Sequence, residues 1–285
     1  VEKMEKHIVI SNPEKFEELR KSFIEGGFEN LHILADFDRT VTYGLDKTGK
    51  KTPTVISKLR TNSEYLGQKY FDEAHRLFDV YHPIEIDASI SLDEKKDKMY
   101  EWWSEHFGLI ARSGLDKDLI NKVAAENPLE FREGVLEFMR LLHKKKVPVV
   151  FISAGPGDMI ETFLEKDKLD FSNIYVIGNR YVFDDNGNVV AIKEPIVHTF
   201  NKTEVVLRGM DIYDKIKNKK NVLLLGDQIG DAGMIEGFDC DNLLKVGFLN
   251  ENVEDSLEEY KKNFDVVLTG DCDFTYVNNF LKELK

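Results

Sequence analysis

Cysteine is nearly absent from this 285-residue chain, which carries only Cys240 and Cys272. Two cysteines build no disulfide framework, and no Cys/His set stands at zinc-binding spacing. A reducing, cytosolic setting fits. Long apolar runs are missing too. None could span a bilayer, and no apolar signal core follows the charged stretch Val1–Lys6. The expectation is a cytoplasmic protein with no membrane partner. Positive charge is in deficit: 39 Lys and Arg face 52 Asp and Glu, for a formal charge of −13. That surface repels polyphosphate and excludes wrapping by a nucleic-acid polymer. It leaves room for a small anionic substrate at a local positive site. Internal repeats and low-complexity tracts are absent. A length of 285 residues with 42% apolar content suffices for one large or two smaller packed domains.

Against that background one stretch stands out, Ile33-Leu34-Ala35-Asp36-Phe37-Asp38-Arg39-Thr40. An apolar strand runs directly into two carboxylates one residue apart. Carboxylates are costly to desolvate. Two so close repel each other unless a cation or a shared proton relieves them. The pattern suits a Mg²⁺-dependent phosphoryl-transfer site with Asp36 as nucleophile. The bland alternative is a strand end with two solvated acids.

Ser11-Asn12-Pro13 marks a helix start, and Gly26-Gly27 its stop. After the acidic strand the texture changes. Residues from Pro53 to Asn127 read as almost wholly helical, with segments over 64–78, from the capping box at Ser91 through Phe107, and over 116–126. Pro83-Ile84-Glu85-Ile86-Asp87 reads as a short extended piece. From Pro128 onward helix and strand alternate, with strands over 147–152, 174–177, 222–225, 244–247 and 266–268. A hairpin over 181–192 turns at Asn186-Gly187, the type I′ dipeptide, and a helix opens at Asn201-Lys202. The expected architecture is α/β: a doubly wound, parallel, Rossmann-like sheet with an inserted helical cap. Residues 1–46 and 129–285 form the core domain, and 47–128 the cap domain.

In such sheets ligands bind beyond the carboxyl ends of the strands, where strand order reverses. Polar clusters at Asp36, Ser153 and Asp227 each follow an apolar strand, so all fall on one sheet edge. A carboxylate can attack phosphorus there, and a second acid can protonate the departing alkoxide and later activate water. Asp36 and Asp38 have the spacing for these two roles. Asp227 or Asp231 would add charge for Mg²⁺, a hard ion that prefers oxygen. Ser153 and the amides of Ala154 and Gly155 would form an anion nest at a strand-to-helix turn, and Lys202 would supply a point positive charge. Taken singly, Ser153-Ala154-Gly155 is also an ordinary turn and Lys202 an ordinary surface lysine.

The ordered set, Asp-x-Asp-x-Thr at 36–40, Ser153, Lys202 and the pair Asp227/Asp231, resembles the haloacid dehalogenase superfamily. Phe-Ile-Ser-Ala-Gly-Pro-Gly-Asp, Val-His-Thr-Phe-Asn-Lys and Leu-Leu-Gly-Asp-Gln-Ile-Gly-Asp resemble the cytosolic type III (pyrimidine) 5′-nucleotidases, as do Ile-Glu-Ile-Asp and Met-Tyr-Glu-Trp-Trp. The similarity is collinear over nearly the whole chain. It implies a hydrolase of nucleotide metabolism acting on nucleoside 5′-monophosphates, pyrimidine or 7-methylguanosine, with Mg²⁺. Metal would be held by Asp36, the Asp38 carbonyl and Asp227, with Asp231 in support, and phosphate by Ser153, Ala154 and Lys202. In the cap, Glu85 matches a base-binding glutamate, and Trp103 falls where the 7-methylguanosine enzymes carry Trp. Tryptophan is the best platform for a cationic purine. Trp102 and Trp103 could equally be cap core, and Glu85 a cap ion-pair partner. Arg39 replaces the usual Met, and His106 and Phe107 depart from the family pattern, which opens the question of base preference. A monomer is expected. The rival readings are a phosphatase of a non-nucleotide metabolite and a receiver-like phospho-Asp switch; receivers carry no helical insert after the acidic strand.

Overall fold

The computed structural model describes residues 7–87, 89–202 and 211–285. The stretch 1–6 and the continuation of the helix expected to open at Asn201 lie outside them. The chain begins with strand β1 (Ile8–Ile10) and helix α1 (Pro13–Gly26). Asn12 caps α1 by accepting from the Lys15 amide at 3.1 Å, and Pro13 spends its missing N–H where no helical partner exists. Strand β2 (Leu31–Ala35) follows, buried along its whole length.

Three helical spans come next: α2 (Ser63–Ile86), broken near its start by non-helical backbone at Gly67, α3 (Leu92–Arg112) and α4 (Lys117–Glu126). Side chains of Asn62, Ser91 and Asp116 cap them. The extended piece expected over 83–87 is instead the last turn of α2. Proline forfeits its own amide bond and crowds the carbonyl four residues back, yet the helix passes Pro83 and closes with the Asp87 amide on the Pro83 carbonyl at 3.1 Å. The consequence is functional. Residues three apart share a helix face, so His82 and Glu85 lie side by side, whereas a strand would set them on opposite faces.

The remainder alternates as expected: α5 (Val135–Lys144), β3 (Val149–Pro156), α6 (Gly157–Lys166) and β4 (Ile174–Asn179), then the hairpin β5 (Tyr181–Phe183) and β6 (Val189–Ile192). Next come α7 (Ile212–Ile216), β7 (Asn221–Gly226), β8 (Asn242–Leu249), α8 (Val253–Asn263), β9 (Val266–Thr269) and α9 (Thr275–Lys282). The hairpin does not use a two-residue type I′ turn, which needs positive φ at both central residues. Only Gly187 has it, and the loop 184–188 is organised by Asp184, whose carboxylate accepts from the amides of Asn186 and Asn188.

The main sheet has the order β1-β9-β8-β7-β2-β3-β4, parallel throughout except for β1 at the edge, whose antiparallel pairing was not anticipated. Alternate residues of β2 serve two apolar clusters, one on each face: Leu31, Ile33 and Ala35 belong to the larger, Leu34 to the smaller. The chain moves outward from β2 through β3 to β4, then crosses back to β7 on the other flank. Strand order therefore reverses between β2 and β7, and a crevice opens beyond their carboxyl ends.

Candidate active site

Four elements end at that crevice. Asp36 follows β2, Asp227 and Asp231 follow β7, the segment 153–155 lies in β3, and Lys202 arrives from the turn 198–202. Lys202 is buried, and its ammonium donates to Asp36 Oδ1 at 2.6 Å and to Asp231 Oδ1 at 2.8 Å. The second oxygen of Asp231 accepts from the amides of Asp227 and Gln228 at 3.2 and 2.9 Å. Both oxygens of Asp231 are thus engaged, and the residue orients Lys202 and the loop after β7. Gly226 permits this close packing, since a Cβ there would stand 2.4 Å from the Asp231 Cβ.

Asp36, Asp227 and Asp231 each place a carboxylate oxygen within 4.8 Å of the others. Thr40 is buried beside them, its hydroxyl 3.4 Å from Asp36 Oδ2 and 3.5 Å from Asp227 Oδ1. Burial pushes Asp36 up to about 7, against the pull of Lys202, and raises Asp227 well above the carboxylate range, with Asp36 adding to it. Lys202 is raised, because the two acids outweigh its burial. One ammonium is too little charge for three carboxylates, and an all-oxygen set of this kind suits a hard divalent cation. The site residues fit a divalent metal.

Asp38 lies across the crevice. Its Oδ1 accepts from the Val55 amide at 2.8 Å, so the second acid is tied to the segment leading into the helical block. Burial pushes it up to about 6. Segment 153–155 is not the strand-to-helix turn expected. It is an irregularity within β3, where Ile152 pairs with Ile177 but the next partners are Pro156 and Asn179. The bulge carries Ser153 out of the ladder toward the site. The Gly155 amide donates to Ser153 Oγ at 3.0 Å, so that amide is taken up within the bulge.

A cavity of about 480 Å³ joins this acidic end to the helices. Its walls include Asp36, Asp38, Ser153, Ala154, Lys202 and Asp227, and from the helices Glu85, Trp103 and His106. Of the residues singled out in the sequence, Thr40, Phe107 and Asp231 stand behind the wall. Glu85 Oε1 accepts from the Thr199 hydroxyl at 2.7 Å, and Oε2 lies 3.2 Å from His82 Nδ1. Its burial would raise it, but the bonds from His82 and Thr199 hold it low. Trp102 and Trp103 are both half-buried and both face the cavity, so neither is pure core. His106 is buried with Nε2 3.1 Å from the Tyr70 hydroxyl, and burial pushes it down to about 3, leaving a neutral ring.

Arg132 and Arg60 carried no signal in the sequence, and Thr199 was marked only as part of the Val-His-Thr-Phe-Asn-Lys stretch. Arg132 is fully buried and donates to the carbonyls of Thr40, Arg39 and Cys272 and to Asn250 Oδ1, all within 2.8 Å. It also pairs with Asp271 at 2.9 Å, whose oxygens take the amides of Gly44 and Leu45. This clamp fixes the backbone just after Asp38. Thr199 reaches the cavity from the turn before Lys202, and Arg60 from the end of the short 3-10 helix Ile56–Arg60.

The sequence pattern of the pyrimidine 5′-nucleotidase family (UMPH-1) matches residues 40–285. The chain belongs to that family. The match starts at Thr40, just after the two acids, but similarity to individual members runs further. The 7-methylguanosine phosphate-specific 5′-nucleotidase A of Xenopus laevis is 33% identical over 272 residues, covering 95% of this chain and 93% of its own length. The 7-methylguanosine phosphate-specific 5′-nucleotidase of Homo sapiens is 31% identical over 282 residues, 99% of this chain and 93% of its own. Cytosolic 5′-nucleotidase IIIB, crystallised with cytidine, superposes with a TM-score of 0.89 at 29% identity, over 97% of this chain and 93% of that one. A substrate-bound phosphoserine phosphatase shares the fold, with a TM-score of 0.53 at 17% identity, over 90% and 98%. As its motifs implied, the chain is a phosphoric monoester hydrolase of the 5′-nucleotidase class on a haloacid-dehalogenase-like fold. Among the described residues no helix is long and apolar enough to cross a membrane.

Proposed function

We propose that the protein hydrolyses nucleoside 5′-monophosphates with Mg²⁺ through an aspartyl-phosphate on Asp36, with pyrimidine and 7-methylguanosine nucleotides as the candidate substrates. The observation that carries this is the buried chain Asp36–Lys202–Asp231 at the strand-order switch, opening into a cavity whose far wall is aromatic. Phosphate enters at the acidic end, where Lys202, Ser153 and the Ala154 amide offset its charge. Asp36, the Asp38 carbonyl and Asp227 would hold the metal, with Asp231 in support. A divalent ion there supplies charge neutralisation for the phosphoryl group and its transition state.

Asp36 Oδ attacks phosphorus, and the bond to the nucleoside 5′-oxygen breaks. Asp38 delivers its proton to that oxygen. A value of about 6 lets this carboxyl hold a proton near neutrality and, once ionised, accept one from water. That water then attacks phosphorus and releases Asp36. Residues 47–128 act as a cap domain over the nucleoside, with Glu85, Trp103 and His106 at the base and the cavity closed to bulk water during transfer.

Phosphate release across a panel of nucleoside monophosphates and simple sugar phosphates, with and without chelator, tests the reading. Nucleotides should be preferred and chelator should stop turnover. Equal rates on sugar phosphates would remove the nucleotide assignment, and full activity in chelator would remove the metal. Asp36→Asn should fold and be inactive; wild-type turnover by that folded variant, with deamidation excluded by mass, would remove Asp36 as nucleophile.

A further inference from the structure

The nucleoside end of the cavity contains a cation that nothing assigned to the reaction uses. Arg60 is half-buried in the cavity wall together with Ser57, Phe78, Trp103 and His106. Its guanidinium carbon sits 4.6 Å above the Phe78 ring, which fixes its plane and leaves its N–H edges free. Among the described residues its side chain has one hydrogen bond, to Ser57 Oγ at 3.1 Å. No carboxylate among the described residues lies within ion-pair distance of it, and Asp79 acts on it only from further away. The charge is felt at the base-binding wall, where it adds to burial in keeping His106 neutral. The acid that could balance it on that side, Glu85, already serves Thr199 and His82 with its two oxygens.

A guanidinium with spare donors seeks acceptors. Pyrimidines offer O2 with N3 or O4, and guanine offers O6 with N7, the pair that arginine reads in a bidentate fashion. N7-methylation removes one acceptor and adds positive charge, so 7-methylguanine meets Arg60 as a blocked edge and as a like charge. Like charges in contact are a strong device for rejecting a ligand. Resting on the nucleotidase reading above, we propose that Arg60 is a specificity-determining residue: it hydrogen-bonds the acceptor edge of a neutral base and turns the pocket away from 7-methylguanosine monophosphate.

The test is kcat/KM for CMP, UMP and 7-methylguanosine monophosphate with the Mg²⁺-loaded wild type and with Arg60→Gln and Arg60→Lys, each checked for folding by circular dichroism. The wild type should favour CMP or UMP over the methylated nucleotide by about tenfold or more, the worth of one hydrogen bond to a charged group. Arg60→Gln should cut that ratio about tenfold, mainly through KM. Arg60→Lys, which keeps the charge, should retain most of the discrimination. A wild type that prefers the methylated nucleotide overturns the proposal, as does an Arg60→Gln that slows all three substrates by one factor. Failure of the wild type to hydrolyse any of the three overturns the nucleotidase reading itself, a result distinct from a nucleotidase that ignores residue 60.

Discussion

Lys202 lies 166 positions from Asp36 in the chain, yet its ammonium sits 2.6 Å from that carboxylate and 2.8 Å from Asp231. Removing it leaves buried acids uncompensated, which costs about 3–5 kcal/mol in comparable sites. It also strips a positive charge from the phosphate position, worth about 10²–10³ in rate for a preorganised donor. Lys202→Met should therefore lower both the melting temperature and kcat/KM. A variant with wild-type kcat/KM would place Lys202 outside the phosphate site. Both acids of the Asp-x-Asp pair were legible as a pair, and the fold, which buries Asp36 beside Lys202, sets aside the alternative of two solvated acids. Their proposed division of labour rests on contacts: Asp36 touches Lys202, and Asp38 touches the Val55 amide.

Elements set what those residues can do. Strand β2 carries His32, buried with Nδ1 2.9 Å from the Lys219 carbonyl and pushed down to about 4 by burial. The unfolded chain takes up this proton first, near 6.5. The contribution of His32 is therefore intact above about 6.5 and is lost as pH falls toward 4. Urea titrations of wild type and His32→Gln should show their stability difference moving about 2 kcal/mol in favour of the variant between pH 7.5 and 4.5. An unchanged difference would mean that His32 takes up its proton in the fold over the same pH range as in the unfolded chain. The clamp on the loop after β2 is a second element-scale device. Arg132→Met leaves Asp271 and several carbonyls without their partner, and should lower stability by about 3–5 kcal/mol with an unchanged denaturant slope. A loss under 1 kcal/mol in urea titration would show the clamp to be dispensable. Helix α2 teaches the opposite lesson about sequence. Pro83 invited an end to the helix, but packing against α3 carried it a further turn and aligned His82 with Glu85.

For the whole molecule, the acids at the β2/β7 crevice are a standing repulsion that folding tolerates and a cation relieves. A ligand that binds only the folded state stabilises it by mass action, about 2.7 kcal/mol at a hundredfold excess over Kd. Mg²⁺ should raise the melting temperature of the wild type by several degrees, as about 1 kcal/mol corresponds to roughly 2–4 °C at this size. Asp227→Asn should melt at least as high as the wild type in chelator, because it removes one of the crowded charges, and it should gain little from Mg²⁺. An equal Mg²⁺ response in both proteins would move the metal away from Asp227.

The sequence by itself determined the class of fold and the chemistry-bearing set. Apolar strands punctuated by acids, Ser153 and Lys202 recur at one edge whenever strands and helices alternate, because each βα unit returns the chain to the same side of the sheet. It could not settle the contents of the cap pocket. Arg60 and Tyr70 lie in stretches whose local pattern is that of any exposed loop or helix, and the stretch Val-His-Thr-Phe-Asn-Lys does not say what Thr199 meets. Their pairing with Phe78, Glu85 and His106 is made only by packing across elements. The balance of charge around a base depends on which side chains find partners, and partners are a property of the folded chain. The acids of Asp36 and Asp38 stand out because an apolar strand runs straight into them, whereas a lysine, arginine or tryptophan is at home on any surface until tertiary structure encloses it.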